Sequence, residues 1–213
     1  MPTSHVPKRQ VPTHQNRSQA ALERLNSWGF TLEILQRLGG LAVAWAIFER
    51  NLELALWALT GEQVKGVHPS TDRLPIGKQI DLLKQESIRL PQGAQELIAD
   101  AATAAFNLMD YRHAIMHGAM IPIGVGGPSF IRNPRSHGEK RARPTHDAHV
   151  DENLLDLAID TAWTLCRLVF AIKEMISSGA TSDLKELKRD MQRAKRQANE
   201  LRHLTELMNS EKY

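Results

Sequence analysis

Apolar residues recur along most of the chain at steps of three and four, the spacing that places them on one side of an α-helix. A first amphipathic stretch starts near Ser18, with Ala21, Leu22 and Leu25 on one face, and Trp28-Gly29-Phe30 interrupts it. The pattern resumes at Thr31 and runs through Leu32, Leu35, Leu38, Leu41, Trp45, Phe48, Leu52, Leu56 and Leu59, predicting one long helix that ends at Thr60-Gly61. Gly39-Gly40 inside it costs about 1 kcal/mol per glycine relative to alanine, and a glycine pair also permits close helix packing. Residues 64–75 read as a loop. A short helix follows, with Ile76, Ile80, Leu83 and Ile88 inward. Pro91 opens the next helix, where a proline sacrifices no helical hydrogen bond. That helix carries Leu97, Ile98, Ala101, Ala105, Leu108, Met109 and Ala114-Ile115, with Gly118 placed as its C′ residue.

Residues 119–149 are rich in glycine, proline and basic side chains. Ile121, Ile123 and Val125 alternate before Gly126-Gly127, and Phe130-Ile131 follow, a pattern open to a small hairpin. Asp151 or a neighbour then caps a strong helix bearing Leu154, Leu155, Ala158, Trp163, Leu165, Leu168, Val169, Ile172 and Ile176, which stops at Ser177-Ser178-Gly179. The last helix starts at Ser182 or Asp183, with Glu186 as a capping-box partner. Its apolar stripe, Leu184, Leu187, Met191, Ala194, Ala198, Leu201, Leu204 and Met208, is narrow. A coiled-coil seam, a helix packed on a partner and a helix lying on its own bundle all fit it. The fold expected is all-α: an antiparallel helical bundle with a C-terminal amphipathic, coiled-coil-like helix. The chain divides into a flexible tail over 1–16, a helical domain over 17–178 with 119–149 as a basic loop or hairpin insertion, and a helical extension over 179–213.

Composition narrows the setting. With 42% apolar residues the chain can bury a real core. A single cysteine, Cys166 in an apolar run, forms no intramolecular disulfide and reads as a buried thiol of a reducing compartment. The first residues, MPTSHVPKRQVPTHQNR, contain no apolar core of a secretory signal. The most apolar segment, 38–60, contains Glu49, Arg50 and Glu53, which marks a core helix rather than a membrane span. A cytoplasmic location, with no membrane partner, is the expectation. The formal charge of +3 is too small by itself to declare a nucleic-acid binder, so charge placement decides.

Placement draws attention to the run YRHAIMHG. Asp110, His113 and His117 have i, i+3, i+7 spacing and share one polar stripe on an otherwise apolar helix. Arg112 stands beside that stripe with a permanently charged fork suited to phosphate. The loop that follows carries Arg132, Arg135, Lys140, Arg141 and Arg143 against the acid Glu139. Read blandly, His117 caps a helix dipole, Arg112 is a surface charge and the loop is merely solvated. A base, a phosphate clamp and a cationic approach fit phosphodiester chemistry better.

RHAIMH, Arg112 to His117, has the R-x4-H spacing of the HEPN superfamily. These are α-helical domains that include many metal-independent ribonucleases and toxin components. His113 stands where that pattern has a polar residue after the arginine, and Gly118 follows the histidine as it often does there. The likeness covers roughly residues 30–178. It implies an endoribonuclease that uses the ribose 2′-hydroxyl as internal nucleophile, with no metal or cofactor and with DNA resistant. His117 would be general base or acid, and Arg112 would stabilise the phosphorane-like transition state. Asp110 and His113 would orient His117 or touch phosphate. Tyr111 would contact substrate or pack in the core. The basic loop would hold RNA, and an antitoxin or other regulatory protein would be a partner, as in toxin–antitoxin or phage-defence systems.

Residues five apart on a helix differ by about 140°, so Arg112 and His117 do not share a face. Unwinding at Gly118, or two copies meeting across a dimer axis, would bring them together, and HEPN-like proteins typically form such homodimers. Glu49, an acid in the most apolar helix, is a candidate partner for Arg112. Two rivals stand beside this reading. One is a non-catalytic nucleic-acid-binding or assembly module built on the same helical dimer. The other is a metal-dependent hydrolase using His113 and His117 at i, i+4 with His146 and His149, although Ala114 occupies the place of the glutamate in H-E-x-x-H.

Overall fold

The computed structural model describes residues 13–121, 128–131, 148–178 and 184–210. Six α-helices dominate the described residues: α1 (His14–Ser27), α2 (Leu32–Thr60), α3 (Ile76–Glu86), α4 (Gln92–His117), α5 (Glu152–Ser178) and α6 (Leu184–Ser210). The fold is all-α, with a three-stranded antiparallel sheet of β1 (Ala119–Ile121), β2 (Ser129–Ile131) and β3 (Ala148–His149) between α4 and α5. Among the described residues no single helix is long and apolar enough to cross a membrane.

Local chemistry explains most boundaries. Thr13 accepts a hydrogen bond from the Asn16 amide (3.3 Å), so α1 begins at His14, inside the stretch expected to be tail. None of the residues of α1 is buried. Gly29, at φ +91°, turns the chain between α1 and α2, which meet at 105°. Thr31 caps α2 through the Ile34 amide, and Gly61 ends it in the left-handed conformation, as the sequence suggests. Asp151 caps α5 through the Leu154 amide at 2.8 Å.

The core lies where α2, α4, α5 and α6 meet. Trp45, Leu41, Leu52, Leu56, Leu97, Leu108, Leu155, Leu165 and Ile172 are fully enclosed. Each such side chain contributes roughly 1.5–3 kcal/mol relative to exposure. Cross-helix contacts give the directions. Arg37 meets Asp156, Gly40 meets Ile159 and Asn51 meets Cys166, so α2 and α5 run parallel. Glu96 meets Lys188, Asp100 meets Lys195 and Asn107 meets Asn199, so α4 and α6 also run parallel. Asp160 with Arg193 and Arg167 with Asp190 set α5 against α6. The bundle is therefore two parallel pairs laid in opposite directions.

One open alternative is decided and three expectations change. The stripe of α6 is filled within the chain: Leu187, Met191, Ala194, Ala198 and Leu201 are buried, and the helix packs on α4 and α5. The segment expected as an extension thus completes the bundle, and its charges serve as ion pairs to neighbouring helices. Ile88 and Trp163, expected inward, are 77% and 51% exposed. Ile88 falls in a short 3-10 turn (Ser87–Arg89), whose tighter winding rotates it off the inward face. Gly118 ends α4 in an extended conformation (φ −76°), with no left-handed turn. A Cβ there would stand 2.4 Å from the Ala114 carbonyl oxygen and 3.0 Å from the Phe130 Cβ. Glycine is required by that close approach.

Candidate functional site

The last two turns of α4 are anchored from one side and open on the other. Tyr111 is 2% exposed and donates its hydroxyl hydrogen to the His149 carbonyl at 3.0 Å, tying α4 to β3. Burial, with the Asp151 carboxylate as a lesser cause, pushes its phenol well above the ordinary range, so it stays protonated. Tyr111 is thus a core residue, the packing member of its two expected roles. His149 completes the anchor, its Nδ1 3.1 Å from the Ser129 hydroxyl.

Arg112 points the other way, towards α2. Its guanidinium lies over the Trp45 ring, 5.8 Å from the centroid. The Trp45 indole N–H in turn donates to Glu49 Oε1. Arg112 and Glu49, paired from the sequence, are therefore joined through Trp45 rather than by a direct ion pair. Both line a cleft of about 640 Å³ between α2, the 61–75 loop, α3 and the end of α4.

A closed set of contacts builds the far wall. Arg50 donates to Glu53 Oε2 at 2.7 Å, Thr71 donates to Glu53 Oε1 at 2.8 Å, and the Trp57 indole donates to Thr71 at 2.9 Å. The Arg50 guanidinium lies 5.0 Å over Trp57 and closes the ring. Both oxygens of Glu53 are thereby used. Gln79 on α3 donates through Nε2 to the Leu74 carbonyl at 3.0 Å.

Two buried polar atoms among the described residues have no hydrogen-bond partner, Arg112 Nε and Gln79 Oε1, and both residues line this cleft. An orphaned buried donor or acceptor costs roughly 1–3 kcal/mol. Such groups are rare in folded proteins, and both belong to residues of this one cleft.

His113 lines the same cleft, half-buried, and His117 is exposed one turn further on, the two ring centroids 5.5 Å apart. Asp110 is exposed on α4. The helix stays regular through His117, so no unwinding at Gly118 brings His117 round to Arg112. The structure gathers Arg112, His113 and Glu49 into one cleft and leaves His117 at its edge beside His113. The expected RNA-binding residues Arg132, Arg135, Lys140, Arg141 and Arg143 lie outside the described residues, as does His146. Among the described residues, no three His, Cys, Asp or Glu side chains are gathered as a metal site requires.

The sequence reading did not single out Trp45, Arg50, Glu53, Thr71 or Gln79 as site residues. Glu49 and Glu53, four apart in the most apolar helix, were a usable signal for a polar recess. Thr71 and Gln79 come from a loop and a different helix, and no spacing points to them. No family model, curated protein or solved structure matches the chain.

Proposed function

We propose that this chain is a HEPN-like, metal-independent endoribonuclease whose reaction centre lies at the end of α4. The observation that carries the reading is Arg112, a permanent cation with a buried, unpartnered Nε, in one cleft with His113, whose ring adjoins that of His117. In the reaction the 2′-oxygen bonds to phosphorus as His117 takes the 2′-hydroxyl proton. The bond to the 5′-oxygen breaks and that oxygen receives a proton, leaving a 2′,3′-cyclic phosphate and a 5′-hydroxyl. Arg112 donates to the phosphoryl oxygens as charge builds on them. In-line displacement needs base and acid on opposite sides of phosphorus, whereas His113 and His117 stand on one side. The opposing acid is then an imidazole from a second copy of the chain. Exposed apolar side chains fit such a pairing: Met116 beside His117, and Val43, Ile47, Trp163 and Phe170 on α2 and α5.

The test is incubation of the full chain with single-stranded RNA in EDTA. Cleavage leaving cyclic phosphate ends is expected, with 2′-deoxy substrate intact and His117→Ala and Arg112→Ala strongly slowed. Cleavage that survives both substitutions would refute the assignment. RNA bound tightly but never cut would favour the non-catalytic module.

A further inference from the structure

The cleft beside Arg112 is poorly suited to holding a phosphate within it. Glu49, Glu53 and Asp72 line it against Arg50 and Arg112, and Arg50 is already committed to Glu53. Three carboxylates against two guanidinium groups repel an anion that enters fully. Acceptors are what the cleft offers. Glu49 has one oxygen on Trp45, leaving Oε2 for a ligand. Gln79 has its amide nitrogen tied to Leu74, which leaves its buried Oε1 as the orphan. At about 640 Å³ the space is within the ordinary range for small-molecule sites.

A flat group with two neighbouring N–H donors satisfies such acceptors. Among the RNA bases only guanine presents two adjacent donors, N1–H and N2–H, on its pairing edge. Adenine and cytosine each set a ring nitrogen acceptor beside their amine, and uracil flanks its one N–H with two carbonyls. Those acceptors would face the Glu49 carboxylate and be repelled. Unstacked RNA bases are also held on arginine planes, and Arg50, fixed over Trp57, presents one at this cleft.

We propose that the cleft is a guanine-selective base pocket, with Glu49 Oε2 accepting from the N1–H and N2–H edge and Gln79 adding a second acceptor. Its position next to the scissile phosphate rests on the ribonuclease reading above; the base recognition does not.

Isothermal titration of the full chain with free nucleosides, which carry no phosphate, tests it. Guanosine should bind about tenfold or more tightly than adenosine, cytidine or uridine. Inosine, which lacks the 2-amino group, should fall between. Glu49→Gln should abolish the ranking while leaving the thermal midpoint within a degree or two, and Gln79→Leu should weaken guanosine less. No guanosine binding, equal binding of all four nucleosides, or a ranking unchanged in Glu49→Gln would overturn the proposal. If Glu49→Gln does not fold, the wild-type ranking and Gln79→Leu still decide it. Sequencing the cleavage ends separates the two claims. RNA cut without preference for guanosine keeps the ribonuclease and removes the pocket; guanosine bound with no RNA cut keeps the pocket and removes the ribonuclease.

Discussion

Along the part of α4 that lies under α6, polar side chains meet matched partners. Glu96 pairs with Lys188 at 3.1 Å, Asp100 with Lys195 at 2.6 Å, and Asn107 with Asn199 at 2.7 Å. Over the last two turns of the same helix Tyr111 is still matched, to the His149 carbonyl, but the side facing α2 differs. Arg112 rests on an aromatic ring with its Nε unpartnered, and His113 and His117 stand together at the rim of an open cleft. One region has spent its polar groups on holding helices together. The other keeps two buried groups unspent, Arg112 Nε and Gln79 Oε1, at a cost to stability, and such orphans are rare in folded proteins. Exposure alone would not have separated them, since half-buried polar residues occur in both.

The sharpest way to break this contrast is to remove polar groups from each region and measure turnover. Arg112→Ala and His117→Ala should each slow single-turnover RNA cleavage by roughly 10²–10³-fold, the usual loss for a transition-state donor. Lys195→Ala, on α6 where it meets Asp100 of α4, should leave the rate unchanged. Equal losses in all three would mean that the two regions do not differ in function.

Next in size is the junction where α4 leaves the bundle. Gly118→Ala places a methyl carbon 2.4 Å from a backbone oxygen, which only backbone movement relieves. The expected loss is about 2–3 kcal/mol in denaturant unfolding. A loss under half a kcal/mol would mean that the end of α4 is looser than its contacts with Phe130 imply.

Much of the helical frame was legible from spacing, because α2 and α5 are long, periodic and capped by Thr31 and Asp151. Periodicity identifies an apolar face but not what covers it. The α6 stripe would look the same on a partner as on α4 and α5, and only the tertiary structure chooses. Trp163 follows the helical repeat yet sits at the edge of its face, half exposed. The Glu49 and Arg112 association was readable as an acid in an apolar helix matched to a cation elsewhere. Its form, an aromatic bridge through Trp45, was not, because Trp45 also satisfies the core pattern. Gln79 became part of the site through the path of the 61–75 loop, for which no sequence period exists.

Between α5 and α6, Asp190 tests the matched region directly. Its carboxylate accepts from Arg167 and Arg193, both at 2.8 Å, and these bonds hold it below the usual carboxylate range despite burial. A depressed folded-state pKa stabilises the fold above the unfolded value of about 3.9, and the gain is lost as pH falls through the folded value. Asp190→Asn should cost about 1–2 kcal/mol at pH 7. The gap to wild type should stay level from pH 8 to 5 and close below about pH 4. A gap that widens on acidification would reverse the sign of the argument.

The smallest effect is the most discriminating, because the two regions should respond with opposite signs. Arg112→Met keeps an unbranched side chain against Trp45 and removes the buried donor that has no partner. The lost cation–π contact is worth roughly 0.5–1 kcal/mol at a partly exposed site, while the orphaned donor costs roughly 1–3 kcal/mol. The substitution should therefore raise stability by about 1 kcal/mol, or roughly 2–4 °C in thermal midpoint for a chain of this size, while slowing cleavage as Arg112→Ala does. Asn107→Leu under α6 should do the reverse, since it removes the hydrogen bonds to Asn199 and Arg202 that join α4 to α6 and leaves chemistry untouched. If Arg112→Met destabilises as much as Asn107→Leu, then Arg112 is a structural cation like those under α6, and the end of α4 loses its distinction as a site.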